Sequence, residues 1–228
     1  MCGRFAQFHC RDEFLTALAL DTPVSTAGDW HARYNVAPGT PVSVFHHHDD
    51  QLQLTLVNWG YAPEWWREQG KPPLINARVE TAEHSRMFAP LWKHGRALVP
   101  ASGWYEWKKS TENPRLKQPY FIRGAVCQPL FFAALYVAAS DGSGSFIIIT
   151  AASHAGLADI HDRRPLVLPP AAARDWLDTS LVPPSGHMHA DVYSLQAEDF
   201  SWQPVSPAVG AVRNDNPSLI LAIDTPTV

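Results

Sequence analysis

Residues 96–109 read RALVPASGWYEWKK. Apolar and aromatic runs flank a Ser-Gly break, a pattern that predicts strand, turn, strand. Working outward, PVSVFHHH (41–48) and QLQLTLVNW (51–59) alternate apolar and polar residues around HDD, as a hairpin does. Downstream, PYFIRG, LFFAALYVA and SFIIITA are three further strand candidates. Helical spacing is confined to short pieces. CRDEFLTALAL places Phe14, Leu15 and Leu18 on one face, and TAEHSRMFAPLW is a second short helix. SHAGLADIH reads as a turn of helix capped by Ser153, and PPAAARDWLD as a helix opened by proline. The tail from Ser201 reads as mostly extended. Strands outnumber helices, and the helices do not alternate with them. The expected fold class is therefore α+β: curved, mostly antiparallel sheets with a few short helices. Nothing resembles a flexible linker, so residues 1–228 are expected to form a single domain.

Composition sets limits on function. The chain has 228 residues, 46% hydrophobic and only 18% charged, with 20 prolines and 9 tryptophans. That describes a globular protein rich in loops, strands and aromatic packing. The three cysteines, Cys2, Cys10 and Cys127, match no zinc spacing and no disulfide framework. No apolar run approaches about 18 residues and no signal peptide is evident, so a cytoplasmic location is expected, with no membrane partner. A net charge of −4 argues against a basic nucleic-acid binder. The cations, however, are 13 Arg to 5 Lys. Arginine suits bidentate phosphate contact and base stacking, so a local arginine-lined groove is compatible with the acidic average, as is ordinary surface salt bridging.

Four stretches carry more polar chemistry than their settings require. In MCGRF, loss of Met1 would leave Cys2 with a free α-amine and a thiol. Their reference pKa values are about 7.7–8.0 and about 8.5, so both are partly nucleophilic near neutral pH. Such a pair captures an aldehyde twice, first as a Schiff base and then as a thiazolidine ring. Taken alone, a residue at position 2 is more often a small side chain in a frayed terminus. In LINARVE, Asn76, Arg78 and Glu80 follow an apolar approach; Asn76 suits a substrate hydroxyl or a turn. Glu106 lies between Tyr105 and Trp107. If buried, its carboxyl would have a raised pKa suited to proton transfer; if its strand faces water, it is ordinary. His161, in ADIHDRRPLVL, reads as a general acid, a helix cap or a core histidine, and Arg163 and Arg164 as a phosphate clamp or a helix end. The triplet His46–His48 sits at an expected hairpin tip, where histidines are usually solvated, and is assigned no metal.

Together, CGRF, RYNVAPG, INARVET, LVPASGWYEWKK, IHDRRPLVL and VRNDNP occur in an order that resembles the SRAP (SOS-response-associated peptidase) family from Cys2 to about Ile220, in its short bacterial form. The resemblance implies a single α+β domain with a DNA groove and no cofactor. It implies loss of Met1 and a thiazolidine cross-link between Cys2 and the ring-opened aldehyde of an abasic site in single-stranded DNA. Asn76 would hold the terminus and the sugar, Glu106 would serve as acid/base, and His161 would act at the opened deoxyribose. Arg4, Arg78 and Arg163 would contact phosphate, with Arg164 adding a cation where the family commonly has methionine. Ala97 stands where many members have cysteine. Trp65 and Trp66, in a proline-bounded loop, are expected to stack beside the abasic site, although tryptophans more often fill cores. The protein would act as a monomer associated with the nucleoid. Two other readings use the same residues. One is an N-terminal-nucleophile cysteine peptidase, which leaves the amine idle. The other is a non-catalytic single-strand binder, which leaves Cys2 and Glu106 unexplained.

Overall fold

The computed structural model describes residues 2–224 apart from 22, 49–50, 114, 140–143 and 184. In chain order the strands are β1 (Phe5–Gln7), β2 (Ser25–Thr26), β3 (Arg33–Val36), β4 (Pro41–His48), β5 (Gln51–Trp59), β6 (Asn76–Arg78) and β7 (Arg96–Ala101). They continue with β8 (Gly103–Lys109), β9 (Lys117–Gly124), β10 (Leu130–Ala138), β11 (Gly144–Ala152), β12 (Arg163–Pro165), β13 (Val167–Leu168) and β14 (Phe200–Pro204). The helices are α1 (Arg11–Leu18), α2 (Glu64–Arg67), α3 (Val79–Ala82), α4 (Ala89–His94) and α5 (Pro170–Leu177). Five strands make one sheet in the order β14-β9-β8-β1-β3. The second sheet runs β12-β11-β10-β7-β4-β5-β2, with β13 on β10 and β6 on β11. Pairing is antiparallel except where β5 and β6 meet β11 and β2 meets β5. The fold is thus the α+β class expected from the strand-rich pattern.

The opening stretch has a different role from a hairpin. β7 pairs with β4 and β10 in the larger sheet, whereas β8 pairs with β1 and β9 in the smaller. The Ser-Gly break is a corner where the chain changes sheets. Gly103 is required there: a Cβ would lie 2.4 Å from the Phe121 ring and 2.6 Å from the Ile122 carbonyl. Ser102 fastens the corner by accepting the Phe8 and His9 backbone N–H groups at 2.9 and 3.1 Å.

Side-chain alternation then sorts residues into layers. Between the sheets lie Cys2, Phe5, Trp104, Phe132 and Ile148. Phe14, Leu18, Trp92, Phe131 and Trp176 fill the opposite face of the larger sheet, beneath α1, α4 and α5. Tyr105, Phe121, Val205, Val209 and Leu219 form a third cluster outside the smaller sheet. LFFAALYVA is nearly all apolar because β10 is covered on both faces: Phe132 enters the first cluster and Phe131 the second. At about 1.5–3 kcal/mol per fully buried large apolar side chain, each of these rings contributes appreciably.

Three local expectations are corrected. The turn after Ser153 is a short 3₁₀ segment, Ala155–Leu157, preceded by His154 and without a side-chain cap, because Ser153 already pairs through its backbone with Asp162. The tail is extended only through β14; it then forms 3₁₀ turns at Pro207–Gly210 and Pro217–Ile220. His46 is buried rather than solvated. Its ring stacks on Tyr136 at 4.0 Å and its Nε2 meets Thr55 Oγ1 at 2.7 Å. The hairpin-tip residues 49–50 lie outside the described residues.

Candidate active site

Cys2 does not fray. It is fully buried in the cluster between the sheets, held by the strand that follows it. β1 pairs with β8 (Phe5 opposite Trp104), and the Tyr105 N–H donates to the Arg4 carbonyl at 2.9 Å. This pairing draws the terminus alongside β8, where Glu106 shares the inward face with Trp104. Glu106 is 3% exposed, so the solvent-facing alternative for its strand is excluded. Burial pushes its carboxyl up from 4.5 to about 7, with Asp162 adding in the same direction. The Cys2 thiol is also pushed up, first by burial and then by the charge of Glu106, against an opposing hydrogen bond from the Arg4 backbone.

The larger sheet supplies the other two groups. β6 lies parallel to β11 with Asn76 opposite Ile148, and β12 lies antiparallel to β11 with Arg163 opposite Ala152. One strand therefore positions both Asn76 and the His161 loop. Asn76 Nδ2 donates to the Cys2 carbonyl at 2.9 Å. Its Oδ1 is buried and meets no donor among the described residues. His161 Nε2 lies 3.9 Å from Glu106 Oε2, and the ring, 30% exposed, forms the outer wall of the cluster. Burial lowers its pKa, so the imidazole is held toward its neutral form. Its Nδ1 lies 3.0 Å from the Arg163 N–H and 2.8 Å from Asp162 Oδ1. These contacts compete, since an unprotonated Nδ1 accepts from the amide while a carboxylate needs a proton there. We favour the amide bond, because the Asp162 side chain is 85% exposed and solvated.

Cys2, Asn76, Glu106 and His161 thus come together in one cluster, whereas the four arginines separate. Arg78 is exposed. Arg4 is half-buried and points into the protein, donating to Asn35 Oδ1 and the Val209 carbonyl, both at 2.8 Å. Arg163 is locked to Glu80 through two hydrogen bonds of 2.6 and 3.0 Å and donates to the Thr150 carbonyl at 2.6 Å. Arg164 is 2% exposed, reaches Ser194 and the Pro165 carbonyl, and lies over the Phe200 ring. Arg164 is thus buried, Arg4 and Arg163 serve protein acceptors, and Arg78 alone of the four is exposed. Trp65 and Trp66 are not core residues. They form an edge-to-face pair on α2, with Trp65 46% exposed and Trp66 tied to the Pro72 carbonyl beneath Lys71.

Sequence reasoning missed the groups that hold the arginines. Glu80 and Thr150 secure Arg163. Asn35 donates from Nδ2 to the carbonyls of Val209, Ala211 and Asn214, and Asp215 accepts the Tyr34 and Asn35 N–H groups. An asparagine within the strand RYNV was the available signal for this latch. Among the described residues no cluster of three or more His, Cys, Asp or Glu could hold a metal ion. No helix there is long and apolar enough to cross a membrane.

Comparison with known proteins places the chain in a family. The family described as SOS response associated peptidase (SRAP) matches residues 1–212. The chain is 50% identical over 225 residues to the abasic site processing protein YedK of Escherichia coli strain K12, covering 96% of this chain and 99% of that one. It is 29% identical over 206 residues to the abasic site processing protein HMCES of Pongo abelii, covering 75% of this chain and 57% of the other. Among solved structures, a phage-related protein from Bordetella bronchiseptica superposes with a TM-score of 0.71 at 36% identity, covering 90% of this chain and 94% of that one.

Proposed function

The chain belongs to the SOS response associated peptidase (SRAP) family, and on that premise we propose that it senses abasic sites in single-stranded DNA and shields them by a covalent bond through Cys2. The observation that carries this reading is the burial of the second residue of the chain beside Asn76, Glu106 and His161. The similar proteins are named as abasic site processing proteins, which fits the same reading.

The chemistry begins with removal of Met1, which frees the Cys2 amine. An abasic deoxyribose exists mainly as a closed hemiacetal. Opening it requires a proton on the ring oxygen and loss of one from the C1′ hydroxyl. The 3.9 Å between His161 Nε2 and Glu106 Oε2 puts a donor and an acceptor within reach of the two oxygens carried by C1′, the ring oxygen and the hydroxyl. His161 polarises the ring oxygen through its Nε2–H, while Glu106 accepts the hydroxyl proton and returns it to the opened ring oxygen, so both groups leave the step as they entered it. The amine then adds to the C1′ aldehyde and one water leaves, giving an imine. The thiol sulfur bonds to C1′ while its proton passes by way of Glu106 to the nitrogen, closing the thiazolidine. One water is lost overall and nothing is oxidised or reduced. Asn76 fixes the Cys2 carbonyl, and its open Oδ1 is placed to accept from the amine or a sugar hydroxyl. An imine that escapes the thiol is open to β-elimination, which makes strand cleavage the side reaction.

A cysteine peptidase would instead need a stabilised thiolate. Burial and the Glu106 charge hold this thiol protonated, the opposite tuning. The deciding test incubates the processed protein with an oligonucleotide carrying one abasic site. A heat-stable, slower band on a denaturing gel supports the reading, and its absence refutes it.

A further inference from the structure

We propose that Glu80 is a positioning residue for this reaction, fixing the tautomer of His161 through Arg163. No chemistry described above uses Glu80, yet it forms a two-pronged salt bridge with Arg163. Nη1 meets Oε1 at 2.6 Å and Nη2 meets Oε2 at 3.0 Å. The Thr150 carbonyl accepts from Nη2 at 2.6 Å on the other side. Three acceptors on two elements fix both the position and the plane of the guanidinium, a restraint lysine's single ammonium cannot reproduce. The Arg163 backbone, already paired with Ala152 at the first position of β12, is braced further by this lock, and its N–H is the group that donates to His161 Nδ1 at 3.0 Å.

At Nδ1 two neighbours make opposite demands. The Arg163 N–H needs a lone pair there; Asp162 Oδ1, 2.8 Å away, needs a proton. A neutral imidazole satisfies only one of them. If the amide prevails, the ring proton sits on Nε2 and faces Glu106. If the carboxylate prevails, the proton moves to Nδ1 and Nε2 becomes an acceptor. The charges that act on the ring are those of the N-terminal amine, Asp162, Glu106 and, more weakly, Lys109. Only the first tautomer can donate a hydrogen bond from Nε2 to the sugar ring oxygen and polarise it for opening. By keeping the Arg163 amide in place, Glu80 selects that tautomer. The orienting partner of a reactive histidine commonly contributes about 10–100-fold at metal sites, and a loss of about that size is expected here.

The rate part of this inference rests on the cross-linking reading above; the tautomer part does not, and the experiment separates them. Imidazole ¹⁵N chemical shifts of His161 are recorded in the processed parent protein and in Glu80→Gln, with Arg163→Lys as a second variant should the first fail to fold. The parent should show protonated Nε2 and unprotonated Nδ1, and either variant should move the proton toward Nδ1. Cross-linking to an abasic oligonucleotide should slow by about 10–100-fold in the same variants. Adding Asp162→Ala removes the competing acceptor and should restore both the tautomer and the rate. An unchanged tautomer in the variants overturns the proposal, as does a slowed reaction that Asp162→Ala fails to rescue. If the parent forms no cross-link, the function falls, and the ¹⁵N shifts still decide the role of Glu80.

Discussion

Replacing Glu106 with glutamine should stabilise the protein while slowing its chemistry, and the two effects should separate by pH. Burial raises the folded carboxyl from 4.5 to about 7. The native state therefore binds a proton more tightly than the unfolded chain. Stability associated with this group is fully present below about pH 4.5 and is lost as pH rises through about 7. A rise from 4.5 to about 7, at about 1.36 kcal/mol per pH unit, gives roughly 3 kcal/mol of destabilisation once the group is ionised. Glutamine has nearly the same shape and never ionises. Glu106→Gln should match the parent at about pH 4 and exceed it by about 3 kcal/mol at about pH 8, read from urea unfolding at both values.

Its reaction should move the other way. General acid–base groups contribute about 10²–10⁴ in rate, so cross-link formation near neutral pH should fall within that range while the product remains a thiazolidine. The defect should narrow as pH passes the amine pKa, because solvent then deprotonates Cys2 unaided. His161→Ala should keep its defect at high pH, since its N–H acts at the sugar and not at the amine. Equal stability differences at the two pH values would refute the buried, near-neutral carboxyl; a parental rate at neutral pH would remove Glu106 from the chemistry.

Cys2→Ala should abolish the heat-stable band while leaving affinity for undamaged single strands intact, as gel and fluorescence titrations would show together. Binding should weaken with salt at a slope of about −0.7 per phosphate neutralised; Arg78→Ala should flatten it, and Arg164→Met should not. Trp65→Ala should cost about 1–3 kcal/mol in single-strand affinity with little change in unfolding midpoint, because the ring is exposed. Asp215→Ala strips the acceptor from two backbone N–H groups and should lower unfolding stability by about 1–3 kcal/mol.

Much of the fold is legible because strand pattern and burial are local in sequence. The unbroken apolar run of LFFAALYVA reports a strand covered on both faces, whereas QLQLTLVNW changes its buried face midway, from Leu52 and Leu54 in one cluster to Val57 and Trp59 in the other. Sheet membership is not local. The Ser102–Gly103 break looks like any hairpin turn, and only Phe121 and Ile122, well downstream in the chain, make it a corner between sheets. His46 likewise appears to belong to a solvated tip until Tyr136 covers it from across the sheet.

The site divides along the same line. Cys2, Asn76, Glu106 and His161 stand out because each is a reactive or polar side chain in an apolar setting, a mismatch that one sequence displays. The arginines carry no such sign. Arg4, Arg78, Arg163 and Arg164 look equivalent in sequence, and their difference lies in distant partners: Asn35 and Val209, open solvent, Glu80 and Thr150, and a buried recess beside Phe200. A charge satisfied by a carboxylate costs energy to redeploy toward phosphate, whereas an exposed one is available at once. The locked arginines instead act as ties, with Arg4 fastening the segment behind the nucleophile to the tail and Arg163 fastening the His161 loop to α3 and β11. The residues to which the proposed chemistry falls, Cys2, Glu106 and His161, are held by two different sheets, so angstrom-level agreement among them depends on such ties as much as on the side chains themselves.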